Sequence, residues 1–104
     1  MPIYNKLVRD NIPNILEAEG KGYVGHTAGD KEEFFDKLKD KLQEEVTEFL
    51  EAPSAEEIAD IQEVLDALAF SVGSNAAEVA TIKEEKANTR GRFYTGYILE
   101  MVED

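Results

Sequence analysis

Four acids stand in two pairs, Glu45-Val-Thr-Glu48 and Glu57-Ile-Ala-Asp60. Carboxylates at i and i+3 of a helix share one face, with Cβ atoms about 5–6 Å apart. Pro53 and Ser54 interrupt the chain between the pairs, so the two helices are expected to fold back on each other and bring the four acids together. Such a cluster repels itself unless a cation neutralises it. Ligands made only of oxygen suit hard ions, Mg²⁺ foremost and Mn²⁺ as an alternative.

Each acid also has an ordinary explanation. Glu45 and Glu48 can lie on a solvated helix face, and Glu44 beside them reads as a bystander. Ser54-Ala-Glu-Glu57 is a capping box, in which the Glu57 side chain bonds back to the Ser54 backbone. Asp60 has no comparable excuse, because aspartate in a helix interior is a mediocre helix former. Glu63 and Asp66 continue the i+3 spacing as supporting or plain surface groups.

Six of the eleven cations form two groups, Lys6 and Arg9 near the start and Lys83, Lys86, Arg90 and Arg92 near the end. An arginine fork grips phosphate oxygens in pairs, and Gly91 lets backbone come close. Phe93 and Tyr94 are candidates to stack on a base, although aromatic residues more often serve the core. The plainer reading is that Lys83 and Lys86 complement the helix dipole and pair with Glu84 or Glu85. A net charge of −12 argues against long nucleic acids, whose phosphate backbone demands a cationic surface. It leaves room for a small phosphorylated ligand held through a cation.

These groups need helices to position them. The sequence predicts helices over about 11–19, 31–51, 55–73 and 76–89. In the first, Asp10 serves as N-cap and Pro13 occupies the first turn. The second has Asp30 as N-cap and Glu33 completing a capping box. Its apolar residues, Phe34, Phe35, Leu38, Leu42, Val46, Phe49 and Leu50, recur with period 3.6. The third is capped by Ser54 and is apolar on more than one side, which calls for burial against another subunit. Residues 21–29 read as a glycine-rich loop, and 92–101 as a short strand or hairpin. The expectation is one all-α domain, 1–104, a helical bundle with that short C-terminal strand.

Other chemistries are excluded. There is no cysteine, hence no thiolate metal site or Cys nucleophile. The one histidine, His26, sits in the glycine-rich loop with no nucleophile motif around it. No phosphate-binding glycine loop or EF-hand motif is present. No apolar run reaches signal-peptide or membrane-span length, so a soluble cytoplasmic protein without a membrane partner is expected.

Taken together, Glu44-Glu45-x-x-Glu48 and Glu57-x-x-Asp60 resemble the EExxE…ExxD pattern of the all-α nucleotide pyrophosphohydrolases. That superfamily includes MazG-like enzymes, dimeric dUTPases and phosphoribosyl-ATP pyrophosphohydrolase. The opening Tyr4-Asn-Lys-Leu-Val-Arg-Asp10 with Ile12-Pro13 is similar to the start of a MazG-like, phosphoribosyl-ATP-pyrophosphohydrolase-like subgroup of house-cleaning enzymes. The Lys41-Leu-x-Glu-Glu45 run and the Lys83…Lys86…Arg90-Gly-x-Phe93 segment resemble it too. Each motif alone is common; their order and spacing along nearly the whole chain are the specific part. Relatives often carry a second glycine where this chain has Arg92.

The resemblance implies a helical bundle of that type and Mg²⁺-dependent cleavage of a nucleoside triphosphate between its α and β phosphates. It implies Glu45, Glu48, Glu57 and Asp60 as metal ligands, and a homodimer or homotetramer with sites built partly from a neighbouring chain. Glu45 and Glu48 are the candidate catalytic carboxylates, Glu48 foremost as the group that orients or deprotonates water. Lys6, Arg9, Lys83, Lys86, Arg90 and Arg92 are the candidate phosphate contacts, on physical grounds. Two alternatives stand beside this: hydrolysis of phosphoribosyl-ATP, and a non-catalytic helical module with a relic cation site.

Overall fold

A computed structural model describes residues 2–104. Four helices follow one another: α1 (Ile12–Ala18), α2 (Lys31–Glu51), α3 (Ala55–Ser71) and α4 (Ala76–Arg90). The fold class is all-α. Helices α2 and α3 form an antiparallel hairpin and supply most of the packing between elements; α4 makes a smaller contact with α3.

The helix starts follow local chemistry. Asp30, Ser54 and Asn75 are extended residues whose side chains accept the amide N–H three positions on: Glu33 N–H at 2.8 Å, Glu57 N–H at 3.2 Å and Glu78 N–H at 2.8 Å. Each satisfies one amide that the helix cannot. In α1 the N-cap is Asn11, not Asp10, and its side chain makes no capping bond; it accepts from the Asn14 side chain instead. Between α3 and α4, Gly73 takes φ 82°, the left-handed region that suits glycine. There the Ser74 N–H reaches back to the Ala69 carbonyl at 2.8 Å. Replacing Ser54 by alanine is expected to lower unfolding free energy by about 1 kcal/mol, with glycine costing only a few tenths; urea titration of the two variants reads the difference.

The core is small. Leu38 from α2 and Val64 and Ala69 from α3 are the buried apolar residues among those described. Much of the expected apolar stripe is open: Phe34, Val46 and Leu50 on α2, and Ile58, Leu65, Phe70 and Val72 in or next to α3. The chain exposes 9299 Å², whereas a monomer of 11.6 kDa is expected to expose about 5,800 Å². Its radius of gyration is 18.2 Å against about 13 Å for a compact domain of this length.

The C-terminal segment departs from expectation. Residues 92–101 form neither strand nor hairpin; no strand occurs among the described residues. A lone hairpin is marginal without a sheet or helix beneath it, and here Phe93 is 99 % and Tyr94 93 % exposed. Among the described residues no helix is long and apolar enough to cross a membrane.

Candidate metal centre

The α2–α3 hairpin brings the acids together in two overlapping sets. Carboxylate oxygens of Glu45, Glu57 and Asp60 lie within 4.8 Å of one another, and so do those of Glu44, Glu45 and Glu48. Glu45 belongs to both. Oxygens on opposite sides of a cation bound at 2.0–2.6 Å are about 4–5 Å apart, so the spacing fits a divalent ion. Glu48 is exposed and belongs only to the second set, with Glu45; the first set is the deeper one.

Glu45 is the centre of the arrangement. It is 7 % exposed, the one buried charged residue among those described. Its Oε1 meets the Lys41 ammonium at 3.3 Å, while its Oε2 is buried with no hydrogen-bond partner. Burial pushes its carboxyl above the ordinary carboxylate range, and the neighbouring Glu48 adds to the rise; Lys41 opposes it without cancelling it. Leaving a buried acceptor unpaired is costly, and a cation would supply the missing partner.

Glu57 settles between its two readings in an unexpected way. The Ser54 side chain does cap α3, but the Glu57 carboxylate does not bond back to the Ser54 backbone. It turns inward to the acids, and its Oε2 is also buried and unpartnered. In α2 the equivalent Glu33 reaches one residue further back than expected, accepting the Gly29 N–H at 2.7 Å and pairing with His26. That is a helix-start role, and the Gly29 amide holds the Glu33 carboxyl below its usual range.

The cations divide between two places. Lys6 Nζ lies 2.9 Å from Glu44 Oε1, and Arg9 Nη2 lies 2.7 Å from Asp60 Oδ1. Both therefore rest on the acidic centre itself. Lys6 holds the Glu44 carboxyl low, and Glu44 in turn raises the Lys6 ammonium. Lys83, Lys86 and Arg92 instead line a groove of about 430 Å³ with Ile82, Phe93 and Tyr94. Arg92 Nη2 donates to both oxygens of Glu84, at 3.0 and 2.9 Å; Arg90 closes the last turn of α4. Within one chain none of these four joins the acids in an ion pair.

Two residues emerge that their sequence context undersold. Glu44 is half-buried and bridges Lys6 and Lys41, so it is no bystander. Lys41 is largely buried and touches both Glu44 and Glu45; its i+4 spacing to Glu45 was the available signal. Comparison with protein-family models, curated proteins and solved structures found no match for this chain.

Proposed function

We propose that the α2–α3 acids hold Mg²⁺, or Mn²⁺, and that the chain is a nucleoside triphosphate pyrophosphohydrolase. The observation that carries this reading is Glu45: buried, with an unpartnered oxygen, and close to Glu57 and Asp60. The residues fit the group, since every donor is a carboxylate and two of their oxygens lack any partner. Glu45, Glu57 and Asp60 would hold the ion, with Glu48 at the outer edge. A bound divalent ion lowers the pKa of water and neutralises phosphate oxygens.

The chain's own groups do the rest. Water adds to the α phosphorus, its proton passes to a carboxylate, and the bond from that phosphorus to the bridging oxygen breaks. Pyrophosphate leaves with the bonding electrons and the nucleoside monophosphate remains. Glu48, exposed beside Glu45, is the group reached from solvent and is assigned as the base. Lys6, Arg9, Lys83, Lys86, Arg90 and Arg92 would neutralise the phosphates.

The reading includes a homodimer or homotetramer. The surface excess over a monomer of this mass, together with open apolar faces on α2 and α3, supports association through them. Packing a second copy there gives the cations of α4 and the tail a route to a neighbour's acids. The proposed setting is cytoplasmic removal of non-canonical nucleotides.

The test is pyrophosphate release from canonical and modified nucleoside triphosphates and from phosphoribosyl-ATP, with Mg²⁺, Mn²⁺ or a chelator. Release that needs the metal is expected for at least one substrate. Glu48→Gln is expected to fold normally and to turn over roughly 10²–10⁴-fold more slowly, the usual contribution of a general base. Wild-type turnover in that variant would remove Glu48 from the mechanism.

A further inference from the structure

The N-terminal segment is tied across the hairpin at three points. The Lys37 ammonium on α2 donates to the Asn5 carbonyl at 2.8 Å, Lys6 pairs with Glu44 on α2, and Arg9 pairs with Asp60 on α3. Leu7 between them is half-buried. Asn5 sits at φ 46°, in the left-handed region that asparagine tolerates better than most residues. This places the Lys6 and Arg9 side chains on the acidic centre, 38 and 51 residues from their partners.

Five carboxylates, Glu44, Glu45, Glu48, Glu57 and Asp60, meet three cations there, Lys6, Arg9 and Lys41. The pairs differ in kind. Lys41 is largely buried and points at Glu45. Arg9 reaches Asp60 from solvent: its side chain is 58 % and that of Asp60 38 % exposed. An exposed pair of this sort is weak and can be exchanged. Asp60 is also one of the three acids of the deeper set.

We propose that Arg9 is an internal counter-ion for the centre, displaced from Asp60 when a divalent cation binds and thereby freed to grip a phosphate group. This rests on the metal reading above. An oxygen engaged by the guanidinium at 2.7 Å has less capacity for a metal, so Arg9 and the cation compete for Asp60. Once released, a planar fork tethered beside the centre is suited to a phosphate. Cation and phosphate then help each other bind, each through the side chain that the other liberates or holds, and the coupling is reciprocal.

The experiment is calorimetric titration of Mg²⁺, without and with inorganic phosphate, into wild type, Arg9→Gln and Lys39→Gln. Lys39 pairs with Asp36 on α2, outside the acidic sets, and controls for bulk charge. Both lysine and arginine side chains are more than half exposed, so the variants retain the fold. Arg9→Gln should bind Mg²⁺ alone about two- to fivefold more tightly, the strength of an exposed ion pair removed, with a smaller change in Lys39→Gln. Phosphate should tighten Mg²⁺ binding in wild type and in Lys39→Gln, and not in Arg9→Gln. Unchanged or weaker Mg²⁺ binding in Arg9→Gln, equal tightening in both variants, or phosphate coupling that survives the loss of Arg9 would each overturn the proposal. Absence of Mg²⁺ binding in wild type would overturn the metal reading itself and this inference with it.

Discussion

Glu45→Gln is expected to stabilise the metal-free protein and to abolish its divalent cation binding. The two effects share one cause. Glu45 is buried beside Glu48, Glu57 and Asp60, with one oxygen lacking any partner. Burial raises its carboxyl above the ordinary value of 4.5, so the folded protein holds a proton there more readily than the unfolded chain does. Stability is therefore lost as pH rises from about 4.5 through the raised folded value, the charged form being the strained one. The neutral amide removes that strain, so the unfolding midpoint of the metal-free protein should rise. The same change removes the only acid common to both sets. Mg²⁺-dependent turnover should fall on the order of 10²–10³-fold or more, the scale seen when one group stabilising developing charge is lost.

The pH dependence follows with a definite sign. In wild type, protons compete with the cation for Glu45, so Mg²⁺ affinity should weaken on acidification while the pH is still above the ordinary carboxylate range. Glu44 behaves in the opposite sense: held low by Lys6, it contributes stability present above 4.5 and lost as pH falls through its depressed value. Scanning calorimetry against pH, with and without Mg²⁺, separates the two. A Glu45→Gln variant that melts below wild type without metal would contradict the strained-carboxylate account.

Leu38→Ala is expected to be the most damaging apolar substitution. Leu38 is 2 % exposed, and Val64 and Ala69 are the only other buried apolar residues among those described. Truncating a buried leucine typically costs about 2–5 kcal/mol, through lost transfer energy and the cavity left behind. Domains of this kind hold only about 5–15 kcal/mol in total. Leu38 also lies two turns before Glu45 on α2, so a disturbance of α2 packing at Leu38 is expected to alter how the first pair of acids meets Glu57 and Asp60. Mg²⁺ affinity should weaken in Leu38→Ala even where circular dichroism shows retained helix. Val46→Ala, at an exposed position, should change stability by less than about 1 kcal/mol in the isolated chain.

Much of the scaffold was legible because it rests on local chemistry. The 3.6 period through Leu38 and Leu42, the caps at Asp30 and Ser54, and the break at Pro53 depend on residues a few positions apart. The juxtaposition of the acid pairs followed from the same spacing. What was not legible is tertiary. Nothing local says that Lys6 will find Glu44 or that Arg9 will find Asp60. Glu57 could satisfy a capping box, and only the packing of α3 on α2 turns its carboxylate inward. The segment 92–101 has strand-forming residues, but a strand needs a partner, and no strand occurs among the described residues.

The most direct test of the central claim is ³¹P magnetic resonance of the nucleotide that gives most pyrophosphate, incubated with wild-type protein and Mg²⁺. The account predicts that the triphosphate signals give way to those of a nucleoside monophosphate and pyrophosphate in equal amounts, and that a chelator stops the conversion. Diphosphate and inorganic phosphate as products, or conversion that persists in the chelator, would contradict it.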